Sequence, residues 1–366
     1  MFRYFVLLLI LFQLNLYAQK KIEGQIFSAD INLGYNIADF ESPYLFDELM
    51  PYSFQISWQK PNYTTKRKLD IFGYSDIGLL FLYHDFRYDE LGKNYGLYAF
   101  MEYYLLKPIH RLQLSFRLSH GISYNTKPYD RYDNSKNKLF GSNWLFPFSF
   151  GLNLKYPNIY ERWGAQLGIS VFHYSNGNLY SPNRGANIPS IVMGINYDLR
   201  SESVLLEKNN PSYDNSWQYL LFLRFGLNES DYYDSGLFPF FTPGFQLEKH
   251  LSFRHKVNFG TELFLSYFLR EIIKYEYYVY PEFQLEKIVD FKRLGIFVGH
   301  EFFYQKFGII TDIGYYLYYP YQFESRYYSR VGLRYYISKN WLFSYNIKAH
   351  RFSRAEAIEL GIMYHF

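Results

Sequence analysis

The chain of 366 residues contains no cysteine. That removes disulfide frameworks and thiol nucleophiles from consideration, and with them a cysteine-borne lipid anchor. Past the N-terminus no apolar run reaches the ~18 residues of a membrane-spanning helix. Charge of one sign is nowhere concentrated. Net charge is +4 with no long basic run and no nucleic-acid module, so nucleic acid is not an expected partner. No glycine-rich loop follows a strand and opens a helix, which leaves nucleotide chemistry without support.

What the chain does have is aromatic residues, 23% of the total with 42 Tyr and 37 Phe. Its mean hydropathy is nevertheless −0.25. Disordered chains are poor in aromatics. A transmembrane β-barrel predicts both features, because aromatic girdles and a lipid face alternate with a polar interior. The expected fold is therefore all-β, an antiparallel transmembrane β-barrel. Segments with period-2 alternation occupy 22–36, 51–60, 75–88, 94–106, 111–125, 143–156, 163–176, 188–199 and 216–228. They continue at 238–249, 255–268, 276–289, 293–305, 308–319, 326–338, 341–350 and 357–366. Single-chain bacterial barrels normally have an even strand number, so one of these is miscounted and about sixteen strands are expected. A single large barrel is the favoured architecture, since every sheet edge must be paired in lipid. The alternative is an eight-stranded barrel from 19–200 followed by a second barrel in 201–366, with the polar "SESVLLEKNNPSYDNS" (201–216) as linker or loop.

The first residues, "MFRYFVLLLILFQLNLYAQKK", have Arg3 near the start, an apolar core from Phe5 to Phe12, and small Ala18 at a plausible cleavage point. They read as a signal peptide over 1–18. The chain finishes "ELGIMYHF", on an aromatic, and looks like the last strand of bacterial outer-membrane proteins. The expected location is the bacterial outer membrane, with the lipid bilayer and the barrel assembly machinery as partners.

One stretch breaks the aromatic alternation: "FHYSNGNLYSPNRGANI", 172–188. Side chains two apart on a strand share a face. Leu167, Ile169, Val171, His173 and Ser175 thus form one face of 163–176, aliphatic until it meets His173. In the following strand Asn187 precedes Pro189, Ile191, Met193, Ile195 and Tyr197 on the apolar face. If the two strands are hairpin neighbours, Asn187 approaches His173 and Ser175 on the lipid side. With a periplasmic N-terminus this strand is the seventh and ends at the cell surface. A serine needs a base in reach, and the base works better when a third group holds its tautomer. Ser175, His173 and Asn187 fit those roles, and Asn176 or a nearby backbone N–H fits an oxyanion contact. The substrate expected at such a place is a lipid ester. The plain alternative is a polar surface loop.

The same residues carry a family resemblance. "FHYSNG…PNRGAN", preceded by "LSHGISYNTKPYDRYDNSKNKLFGS" (118–142), resembles the lipid A 3-O-deacylases (PagL-like) and their longer Bacteroidetes relatives, the acyloxyacyl hydrolases. The resemblance implies an eight-stranded outer-membrane barrel acting on lipid A of lipopolysaccharide. Its His-x-Ser-Asn motif lies on the outer face, with a Glu as triad acid. Carried over, His173 is the base, Ser175 the nucleophile and Asn176 an oxyanion contributor. The acid's position falls on Asn187, so this chain departs from the pattern. "HYSNG" is also similar to the His-x-Ser-Asn-Gly motif of outer-membrane phospholipase A, whose third member is an Asn. That family makes Asn183 a competitor to Asn187, and calcium a cofactor under that reading alone; otherwise no cofactor is expected. A noncatalytic porin-like or structural barrel is the third reading, motivated by the missing Glu.

Other polar features have bland explanations. Loop 125–142 carries Lys127, Arg131, Lys136 and Lys138 against Asp130 and Asp133, able to meet lipid A phosphates or simply be solvated. Asp312, Arg330, Arg334, Lys348, His350 and Glu359 share inward parity and read as a lumenal ion-pair network. His300 and Glu301 are strand neighbours on opposite faces and do not make a metal site. His120 has lipid-face parity and reads as interfacial. Glu161 sits at the far end of its strand from His173, and the C-terminal half has no catalytic role on sequence grounds.

Overall fold

A computed structural model describes residues 24–35, 50–62, 73–105, 111–199, 212–229, 235–280, 289–304, 306–351 and 354–366. The expected signal peptide with its Ala18 cleavage point, and most of segment 201–216, lie outside the described residues. The first half holds β1 (Ile26–Gly34), β2 (Tyr52–Pro61), β3 (Ser75–Asp85), β4 (Lys93–Tyr104) and β5 (Gln113–Asn125). The two-residue β6 (Trp144–Leu145) is followed by β7 (Phe148–Tyr160), β8 (Trp163–Tyr174) and β9 (Ala186–Asp198). Next come β10 (Trp217–Glu229), β11 (Leu237–His250), β12 (His255–Ser266) and helix α1 (Tyr267–Val279). The last strands are β13 (Arg293–Tyr304), β14 (Phe307–Tyr318), β15 (Tyr327–Tyr336), β16 (Trp341–His350) and β17 (Arg354–His365).

The sixteen long strands do not make one barrel. A strand has two edges, and the pairings use both within each half. β1 pairs with β2 and with β9, and β4 pairs with β5, which closes the first eight long strands on themselves. β10 pairs with β11 and with β17, closing a second barrel from β10 to β17. The favoured single barrel would need an edge of β9 for β10, and β1 already occupies it. Two eight-stranded barrels, the alternative, are the observed architecture.

The seventeenth candidate, 276–289, is corrected at its start, where α1 ends; 281–288 lies outside the described residues. In α1 the buried residues are Phe268, Leu269, Ile272 and Ile273, one helical face packed against Phe238, Phe291, Tyr321 and Phe323. The candidate 143–156 is divided by Phe146–Pro147 into β6 and the longer β7. Proline has no N–H to give to the ladder.

Burial is inverted relative to a water-soluble protein. Along β8 and β9, Leu167, Ile169, Ile191, Met193 and Ile195 are exposed, whereas Gln166, Ser190 and Asn196 are buried. The exposed apolar face is the lipid face of a transmembrane barrel, and the polar face fills the lumen. In the first lumen Glu102 takes Arg117 Nη2 at 2.9 Å and Lys155 Nζ at 2.6 Å. In the second, Arg330 reaches Glu359 (2.5 Å) and Glu262 (3.1 Å), and Arg334 reaches Glu301 (2.7 Å) and Glu248 (3.2 Å). Arg293, Lys348 and His350 converge on Glu356. Asp312 is buried beside Arg330. The inward charges read from parity are all in the lumen. Glu301 points inward to Arg334 while His300 points outward, its Nε2 2.9 Å from His255 Nδ1.

The chain forms two compact units. One comprises Met1–Thr126, Pro147–Tyr174 and Ala186–Lys208; the other comprises Lys127–Phe146, Ser175–Gly185 and Asn209–Phe366. The loops after β5 and β8 therefore cluster with the C-terminal barrel.

Candidate active site

β8 and β9 are antiparallel neighbours whose register sets Leu167 opposite Met193, Ile169 opposite Ile191, Val171 opposite Pro189 and His173 opposite Asn187. The outward stripe is aliphatic up to its last rung, which is a histidine facing an asparagine. At the other end of the same strands Trp163 faces Tyr197, with ring centroids 4.9 Å apart, as an interfacial aromatic pair.

His173 Nδ1 lies 2.7 Å from Asn187 Oδ1. An amide oxygen only accepts, so this contact requires the proton on Nδ1 and leaves the Nε2 lone pair for a substrate-side proton. The other side of the ring rests on Phe148 of β7, opposite His173 in the register, with centroids 4.8 Å apart and planes tilted by 32°. Phe148 in turn faces His120 of β5, whose Nδ1 is 3.0 Å from Pro147 O. His120, Phe148, His173 and Asn187 thus form one lateral row across four strands. His120 is placed with the interfacial row, away from hydrogen-bond pairing with Asn187. Phe148 was not singled out from sequence. Its parity with Phe150, Leu152 and Leu154 marks it as outward, but only the β7–β8 register brings it to His173.

Tyr174, between His173 and Ser175, points inward. Its hydroxyl is 3.0 Å from His84 Nδ1 and 3.5 Å from Tyr98 Oη, in a fully buried cluster closed by Phe86. β8 ends there, two residues short of the expected boundary at 176. Ser175 begins the following loop, is 6% exposed, and accepts a hydrogen bond from Phe146 N at 2.7 Å through its carbonyl.

Asn176 is buried, and its donors are turned into the loop. Its N–H donates to Asn183 Oδ1 (2.9 Å), and Nδ2 donates to Tyr180 O (2.7 Å) and Ser142 Oγ (3.2 Å). An oxyanion role for Asn176 therefore requires it to exchange one of those acceptors for a substrate oxygen. Asn183, the competitor of Asn187, uses its amide oxygen on Asn176 N. Loop 125–142 pairs with the loop after β8: Arg184 N donates to Lys138 O (3.3 Å) and Gly185 N to Leu139 O (3.1 Å). Burial, and then the Arg184 charge, push the Lys138 ammonium below its ordinary range.

This arrangement can be compared with known proteins. The family model for lipid A 3-O-deacylase (PagL) matches residues 50–196, and that for the acyloxyacyl hydrolase C-terminal domain matches residues 215–366. The chain is similar to a crystal structure described as the outer membrane enzyme PagL, with 17% identity over 46% of this chain and 97% of the other, at a TM-score of 0.32. It is also similar to a porin of Rhodopseudomonas blastica, a triple mutant, with 7% identity over 93% of this chain and 99% of the other, at a TM-score of 0.18. No curated protein matches. With one model on each barrel, and the two together taking in most of its length, the chain belongs to the lipid A 3-O-deacylase (PagL) and acyloxyacyl hydrolase family of β-barrel proteins.

Proposed function

We propose that this protein is an outer-membrane serine esterase that removes a fatty acyl chain from lipid A. The observation that carries the reading is the 2.7 Å contact between His173 Nδ1 and Asn187 Oδ1 at the end of an exposed aliphatic stripe. A base with a fixed tautomer, beside a surface that acyl chains would cover, suits an ester whose tails lie in the membrane.

Ser175 Oγ attacks the ester carbonyl as His173 Nε2 takes its proton. The tetrahedral intermediate collapses, His173 returns the proton to the departing hydroxyl, and an acyl-serine remains. Water then attacks the acyl-serine with His173 again as base, and the free fatty acid leaves. Asn187 holds the Nδ1–H tautomer throughout. Unlike a carboxylate it does not offset the imidazolium charge, so the reaction runs on orientation rather than on an ion pair. Lys138 and Arg184, adjacent cations on the paired loops, suit the phosphates of lipid A.

The lumens weigh against a channel. The second barrel is crossed by fully buried Arg224, Arg293, Arg330 and Arg334 with their carboxylates, and a filled lumen does not conduct. The test is direct: purified protein mixed with lipopolysaccharide should release 3-hydroxy fatty acid, seen by mass spectrometry, and Ser175→Ala should abolish the release. Undiminished release by that variant, or hydrolysis of phospholipid but not lipid A, would overturn this reading.

A further inference from the structure

We infer that Glu229, at the end of β10 in the C-terminal barrel, is a positioning residue that fixes the loop Ser175–Gly185 and so the departure of Ser175 from β8. The inference rests on the reading of Ser175 as nucleophile.

The ties lie within the second unit. Ser181 N donates to Glu229 Oε2 at 2.6 Å, and Gly236 N to Oε1 at 3.3 Å. The Glu229 backbone N–H donates to Asn178 O at 3.2 Å. Asn178 Nδ2 and Asn228 Nδ2 both donate to Glu356 O, at 3.2 and 3.4 Å. Gly177 sits at φ +65°, and a side chain there would collide with Ile358 of β17. The loop is thus held at 177, 178 and 181 by β10 and β17.

Glu229 is 4% exposed. A buried carboxylate is costly unless hydrogen-bonded, and here each oxygen accepts a backbone N–H, in the charge-assisted class of bond. Those bonds hold a course of the backbone rather than a side-chain pose. The loop begins with Ser175 and also carries Asn176 and Asn183, whose mutual hydrogen bond depends on the loop's path. A nucleophile displaced by ~1 Å from its attack geometry loses on the order of 100-fold in rate. An unpinned loop would spread Ser175 over such displacements.

The test uses the full chain in detergent micelles with lipopolysaccharide. Two readings are taken: kcat and KM for fatty-acid release, and the rate at which a fluorophosphonate labels Ser175. Heat-modifiable gel mobility reports barrel folding. Glu229→Ala should lower kcat and the labelling rate together by roughly tenfold or more, with KM within about twofold. Glu229→Gln keeps an acceptor oxygen and should recover most of both. Asn178→Ala, which leaves the carboxylate in place, should lower kcat and labelling in the same sense and serves if Glu229→Ala does not fold. Folded Glu229→Ala or Asn178→Ala with kcat and labelling within twofold of the unchanged protein overturns the proposal while leaving the esterase reading intact. A fully active Ser175→Ala overturns the nucleophile assignment and this inference with it.

Discussion

His173 and Asn187 face each other on the last rung of the paired strands β8 and β9, with Nδ1 and Oδ1 2.7 Å apart. The family resemblance puts a Glu where Asn187 stands, so the contact preserves orientation without charge. Asn187→Ala should lower kcat by on the order of 100-fold with little change in KM, because general-base catalysis contributes about that much and depends on the tautomer. Asn187→Glu should exceed the unchanged protein in kcat, since a carboxylate offsets the imidazolium formed in the transition state. Steady-state fatty-acid release measures both. Equal rates for all three would remove Asn187 from the mechanism.

Phe148 supports the other face of the same ring. Phe148→Ala should lower kcat several-fold, and Phe148→Tyr should retain most of it. An aromatic pair of this kind contributes about 0.5–1.5 kcal/mol, or up to roughly tenfold. Kinetics of the two variants side by side would separate ring support from loss of bulk.

The inward hydroxyl of Tyr174 makes a stability prediction. Tyr174→Phe leaves His84 Nδ1 buried without its partner. The expected cost is about 1–3 kcal/mol. A lowered midpoint for loss of heat-modifiable gel mobility would show it. An unchanged midpoint would mean that another group replaces the bond.

In the second barrel Arg330 joins Glu359 at 2.5 Å, Glu262 at 3.1 Å and Asp312 at 3.6 Å. Arg330→Ala takes away the cation shared by three buried carboxylates, of which Glu262 keeps Arg224 and the Tyr328 hydroxyl. It should destabilise that barrel by about 3–5 kcal/mol, the usual cost of breaking a buried ion pair from one side. Urea titration of folded protein in micelles, compared with Lys93→Ala at an exposed pair, gives the contrast.

Lys138 and Arg184 lie together on the paired loops, and burial, then their mutual repulsion, holds the Lys138 ammonium below its ordinary range. An anion between them would raise it. Arg184→Ala should therefore weaken binding of bis-phosphorylated lipid A, seen as a higher KM at low salt. The effect should fade as salt screens the charges and be absent for a neutral short-chain ester. A KM unchanged at low salt would leave these cations as loop structure.

Much of this was legible in the order of residues. The alternation Leu167, Ile169, Val171, His173 on one strand and Asn187, Pro189, Ile191, Met193 on the next is enough to place the His and Asn on the outward face. The same parity placed Arg330, Arg334, Lys348 and Glu359 in a lumen. Side-chain parity is a local property of an extended backbone, so it survives any global arrangement of the strands.

The rest depends on contacts that a local pattern does not encode. Alternation says that a strand has two faces but not which strands take its two edges. The closure of β1 on β9 and of β10 on β17, rather than of β9 on β10, was decided by tertiary pairing. The ring of Phe148 reaches His173 through register across a hairpin. The start of the strand candidate 276–289 instead ends helix α1, whose face of Phe268, Leu269, Ile272 and Ile273 packs against Phe238 and Phe323. The hold of Glu229 on Ser181 joins residues 48 apart. By itself the sequence determined which face each side chain takes, because that follows from the backbone period. Tertiary structure decided which edges meet and what pins the loop at Ser175, because hydrogen-bond partners between distant segments exist only once the chain has closed.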